Sequence, residues 1–220
     1  ASCASTYVPD NQANAPIAVT PSDKSAELSA YYAQMQNDMR MRGLLLQDDT
    51  SANVSVSPRI LARNFETIAM FDEYRTVPAG FVHQSTPSQL RRWGKPVRMS
   101  VEFGDSVPVA NRQSDARFIA DYAQHLSQVS GHSVSITPTR PNYLVMVVGE
   151  DDKAGLVNRV REFVPNVSQS AIDTLENLPR SLLCLVYAFP SETGSLSYGK
   201  AIAVIRAEHP TLLRRSCIHE

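Results

Sequence analysis

His219 and Glu220 end a helical pattern that opens at Pro210, and they are the pair in this chain best suited to chemistry. A ring nitrogen of His219 can ligate a divalent metal. The carboxylate of Glu220 can then take a proton from a metal-bound water, the arrangement of a zinc-binding helix whose second histidine follows one turn later. Only the first half of that signature stands here, which makes Glu220 the candidate catalytic base and His219 the candidate metal ligand. His209 lies ten residues earlier, about 15 Å along a helix, too far to share a metal with His219. His83, His125 and His132 fall on other elements. No cofactor is assigned to these residues, and zinc is the ion that a longer chain could complete a site for.

The elements that must position this pair are legible upstream. Residues 201 to 205 (AIAVI) form a β-branched apolar run of the kind that makes a buried strand. Pro210 suits a first helical position, and Leu212 and Leu213 give the following helix its apolar side. Earlier, Val97, Met99, Val101 and Phe103 alternate with polar residues as a half-buried strand. Ser114 can cap a helix running to Ser130, with Phe118, Ile119, Tyr122, Leu126 and Val129 on one face and Gly131 as its stop. Strands are expected at 133 to 137, at 143 to 148 and, buried again, at 182 to 189. Helices are expected from Asp152 to Val164, and from a capping box at Ser170 and Asp173 to Pro179.

The N-terminal part reads differently. Residues 4 to 21 hold Pro9, Pro16 and Pro21 without periodicity and read as a tether. A helix is signposted from 22 to 42, with Asp23 and Glu27 early, Arg40 and Arg42 late, and an apolar stripe of Leu28, Tyr32, Met35 and Met39. A polar break at 47 to 56 precedes a second helix, opened by Ser57-Pro58, with Ile60, Leu61, Phe65 and Ile68 inward. The stretch FDEYRTVPAGF gives mixed signals. Thr86-Pro87 reads as the start of a short helix that carries Arg91, Arg92 and Trp93 and ends at Gly94. The chain thus divides into 1–21, a lipoprotein N-terminus and tether; 22–70, a helical extension; and 71–220, an α+β domain cut within its last helix.

Charge and cysteines narrow the function classes. A net charge of -1 leaves no electrostatic footprint for nucleic acid. No run approaches the roughly 18 apolar residues of a membrane span. Ala-Ser before Cys3 is what the end of a bacterial lipoprotein signal looks like, which makes Cys3 the candidate lipidation site and an N-terminal lipid the membrane contact. Ala4 after it favours the outer membrane, on its periplasmic side. The remaining thiols, Cys184 and Cys217, either bridge in that oxidising compartment or sit as two buried thiols.

The order of elements from 97 to 220 is similar to the upper subdomain of zincin metallopeptidases, in which a twisted mixed sheet packed by helices backs the active-site helix. A closer resemblance rests on RNFETIAMFDEYR, LRRWGKPVRMSVEFG, Ser130-Gly131-His132, Asn142-Tyr143 and above all AVIRAEHPTLLRRSCIHE. These residues resemble a proteobacterial family of lipoproteins with a domain of unknown function. That family continues past this point and has no clean histidine one turn after the first. The reading that follows is a lipid-anchored envelope protein acting as a non-catalytic binding or complex-assembly module, with another envelope protein as partner. The alternative is a zinc metallopeptidase-like hydrolase whose site this chain contains in part.

Overall fold

The computed structural model describes residues 20–45, 57–77 and 80–220. Cys3, most of the expected tether and the polar break at 47 to 56 lie outside the described residues. In chain order the elements are α1 (Asp23–Met41), α2 (Pro58–Ala69), β1 (Phe71–Val77), β2 (Gly80–Pro87), β3 (Arg92–Trp93), β4 (Val97–Phe103), α3 (Val109–Ser130), β5 (Val134–Ile136) and β6 (Tyr143–Val148). A single 3-10 turn at Glu150–Asp152 then leads into α4 (Lys153–Phe163), followed by α5 (Gln169–Glu176), β7 (Cys184–Pro190), β8 (Ser197–Arg206) and α6 (Thr211–His219).

β6 and β8 set the architecture because they are buried on both faces. Even-numbered Leu144, Met146, Ile202 and Val204 point to one side, and odd-numbered Val145, Val147, Ala203 and Ile205 to the other. Two such runs can only lie at the centre of a sheet. Strands β5, β4, β6 and β8 pair in that order, all parallel. β7 pairs antiparallel with β8, opposite β6, and the two-residue β3 runs parallel to the start of β8. On the even face α4 and α5 close the core with Leu156, Val157, Val160, Ile172 and Leu175. On the odd face α3 and α6 contribute Ile119, Ala123 and Cys217. The protein is an α+β fold, a mixed sheet packed by helices on both sides.

Several expectations change. FDEYRTVPAGF belongs to a hairpin, β1 paired with β2, and Thr86-Pro87 ends that hairpin rather than opening a helix. A Thr-Pro pair suits a strand end as well as a cap, because proline forgoes only a ladder hydrogen bond there. Arg92 and Trp93 are strand residues, paired with Ser197 and Tyr198. α3 starts five residues before Ser114, with Pro108 at its N-cap. Gly131 stops it at φ 67° as expected, a left-handed conformation that glycine adopts without strain. α5 is capped by Ser168, whose hydroxyl accepts from the Ala171 N–H, and not by Ser170.

β7 is a half-exposed edge strand and not a buried one, with Val186 45% exposed. The largest departure is α2. Ser57 caps it as expected, yet Ile60, Leu61, Phe65 and Ile68 are all exposed, Ile68 by 80%. Val129, at the end of α3, is exposed as well. Periodicity identifies the helix, but whether its stripe is covered depends on what packs there, and among the described residues α2 packs mainly on β1.

Candidate binding cleft

The turn from β8 into α6 carries a run of polar side chains that the fold buries. Arg206, Glu208, His209 and Arg214 are all less than a tenth exposed. Each is held by specific partners. The guanidinium of Arg206 donates to the carbonyls of Leu178 (2.5 Å) and Pro179 (3.1 Å). Arg214 donates to the His209 carbonyl at 2.5 Å and pairs at 2.7 Å with Asp115, which reaches it from α3 and is itself buried. Glu208 accepts from the Ser25 hydroxyl at 2.9 Å and from the Glu150 N–H at 2.6 Å. His209 lies edge-on to the Tyr32 ring, 4.4 Å between centroids. Burial, with Arg206 and Arg214 adding repulsion, lowers the His209 pKa to about 3, so its imidazole is neutral at physiological pH.

Beyond this polar knot, α6 runs along the odd face of the sheet and opens onto a cleft of about 1050 Å³. The floor is the odd face itself, Met99, Val145, Ala203 and Ile205. Ile119, Tyr122 and Leu126 of α3 form one wall, and Cys217, Ile218, His219 and Glu220 another. Trp93, stacked on Tyr143 at 6.2 Å between centroids, closes the far end. Burial pushes the Tyr143 hydroxyl up to about 12, so it stays protonated. The lining is predominantly apolar with a few polar groups at the rim, as in sites that bind ligands by burying them.

The structure brings both candidate chemical residues to this rim. His219 packs on two rings of α3, with centroids 4.6 Å from Tyr122 and 5.3 Å from Phe118, and the Tyr122 hydroxyl donates to its carbonyl at 3.1 Å. Glu220 is partly open to solvent, yet burial raises its pKa, and the carboxylate of Glu73 raises it further. Among the described residues no three His, Cys, Asp or Glu side chains converge as a metal site. A structural zinc needs four ligands and a catalytic one three with an open position, so His219 and Glu220 do not by themselves make a place for the ion. His83, on the hairpin, faces Glu73 at 3.6 Å, and the His132 ring meets the Lys95 carbonyl at 3.0 Å. Cys184 of β7 and Cys217 of α6 form a disulfide, their Cα atoms 5.4 Å apart, which ties the edge strand to the cleft helix.

Sequence reasoning missed the knot and most of the cleft. Its one local signal was the charged run Arg206-Ala207-Glu208-His209 directly after an apolar strand. Such a run stays close to the core with no room to reach water. Asp115 and Ser25 gave no signal, because their partners lie far away in the chain.

Residues 58–220 match the family described as a protein of unknown function, DUF2927. The match spans most of the chain, and the protein belongs to that family. No curated protein and no solved structure matches it.

Proposed function

We propose that this protein is a lipid-anchored module of the bacterial envelope, held at the periplasmic face of the outer membrane through Cys3, that binds another protein without catalysis. The observation that carries this reading is the cleft: about 1050 Å³, floored by aliphatic side chains and closed by an aromatic pair. Such a surface favours an apolar segment of a partner, since burying apolar area is the main source of binding free energy. The rim residues His219 and Glu220 then position the ligand. Calorimetry with a short Leu- and Val-rich peptide tests it. Saturable binding with a negative heat-capacity change is expected for the parent chain, with loss of binding in Val186→Lys, a half-exposed cleft residue. Equal binding by both chains would overturn the cleft reading. The anchor is checked separately by acyl labelling in cells, expected to disappear on Cys3→Ser.

A second reading has a specific observation in its favour. The mixed sheet, with one antiparallel edge strand, backs a helix that brings His219 and Glu220 to the rim of a cleft. Together with the resemblance of the element order to zincin metallopeptidases, that placement supports a zinc-dependent hydrolase as the alternative. Stoichiometric zinc lost on His219→Ala, with peptide cleavage lost on Glu220→Gln, is what this reading requires. Metal content unchanged by His219→Ala would remove it.

A further inference from the structure

Helix α6 has no side-chain cap of its own. Its N-cap is Pro210, which offers no side-chain oxygen to the first N–H groups of the helix. The missing acceptor comes from α1. The side-chain carbonyl of Gln36 takes the N–H of Leu212 at 3.0 Å and of Leu213 at 3.3 Å. The rest of the α1 interface combines polar links with a half-buried apolar stripe of Leu28, Met35 and Met39, and the Ser25 hydroxyl donates to Glu208. The Ser22 N–H donates to Asp151, Lys24 pairs with Glu150 at 2.5 Å, and the Tyr32 hydroxyl donates to the Arg180 carbonyl at 3.0 Å. Of nineteen residues in the helix only Ser25 and Tyr32 are buried. An element joined by a few hydrogen bonds, one buried ring and otherwise half-buried side chains belongs to the low-stability end of a structure, where local release is cheap. α1 also lies outside the family-matched residues 58–220.

We propose that α1 is a releasable strap: docked, it completes the first turn of α6 and fixes the cleft wall; released, it lets that turn fray and the cleft open. The inference rests on the cleft being the binding site. What α1 covers fits the idea. Beneath it lie the Glu208 Oε2 and His209 Nε2 atoms, buried with no hydrogen-bond partner among the described residues. Release would let water reach both atoms, which offsets the loss of the Ser25–Glu208 hydrogen bond that docking makes.

The test uses the full chain and four variants, Gln36→Ala, Gln36→Glu, Tyr32→Phe and Val186→Lys. Amide hydrogen exchange at Leu212 and Leu213 is read alongside binding of the apolar dye 8-anilinonaphthalene-1-sulfonate. Gln36→Ala should speed exchange by roughly five- to tenfold, the effect of losing a cap. It should also tighten dye binding by roughly threefold or more, as the open population rises. Gln36→Glu should restore both, because a carboxylate also accepts and suits a helix N-terminus. Tyr32→Phe should move both in the same direction as Gln36→Ala, by less. Unchanged exchange in Gln36→Ala overturns the strap, as does faster exchange with unchanged dye affinity. Dye binding that Val186→Lys leaves intact would sink the cleft reading instead, while the exchange arm still decides whether α1 holds α6.

Discussion

The two faces of one sheet are built in different ways. On the even face, α4 and α5 close a core of a dozen buried apolar residues around Leu144, Val160 and Leu175. Two helices meet an apolar surface there and are held mainly by packing, with the Arg159–Glu102 ion pair tying α4 to β4 at its margin. On the odd face α3 and α6 leave the cleft open. What they lose in apolar contact is replaced by the Asp115–Arg214 pair, the Cys184–Cys217 disulfide and the polar knot around His209. On the proposed binding reading, a face that admits a ligand cannot be filled, and its helices are positioned by directional and covalent links. The contrast is one of degree, and the buried polar side chains Arg206, Glu208, His209 and Arg214 gather around the turn from β8 into α6.

Breaking the contrast from the polar side gives the largest effect. Asp115→Ala strands the buried guanidinium of Arg214, and loss of about 3–5 kcal/mol is expected in urea unfolding. Leu175→Ala, wholly buried on the closed face, should cost about 2–4 kcal/mol through its cavity while leaving peptide binding unchanged. Reduction of the disulfide, or Cys184→Ser with Cys217→Ser, should cost about 2–3 kcal/mol, with faster hydrogen exchange confined to α6 and β7.

Acid sharpens the comparison further. His209 titrates at about 3 in the fold and near 6.5 when unfolded. Above about pH 6.5 neither state binds a proton there, and the group adds no pH dependence. Below it the unfolded chain takes up a proton that the folded one refuses, so stability falls as the pH drops towards 3. Between about pH 7 and 5.5 the expected loss is about 1 kcal/mol, flattened in His209→Gln. The groups facing His209 are the Tyr32 ring, Glu208, Arg206 and Arg214, and the slope that His209→Gln removes is the part that belongs to the imidazole. The smallest effect is that of Val186→Lys, within about 0.5 kcal/mol of the parent in stability because the site is half exposed.

How much of this was legible in the sequence follows from what each element depends on. β6 was read to the residue, because a strand buried on both faces is continuously apolar whatever its neighbours are. Gly131 and Ser57 marked helix ends through local backbone chemistry that needs no tertiary partner. The hairpin was missed because Asp72, Glu73 and Arg75 leave Phe71 and Tyr74 without a period-two apolar pattern. The exposed stripe of α2 was misjudged because amphipathicity records a preference and not its fulfilment. Gln36 was invisible as a cap, since its acceptor serves a helix at the other end of the chain. His219 and Glu220 could be named from residue type alone, but the aromatic wall of Phe118 and Tyr122 beside them required the fold.

The most direct measurement uses a reporter already in place. Trp93 is the only tryptophan of the chain and lines the cleft. Its emission is followed during titration with the Leu- and Val-rich peptide, in the parent chain and in Val186→Lys. A saturable one-to-one change in the parent, absent from the variant, is the result this account predicts. Emission that does not respond, or that responds equally in both chains, would contradict it.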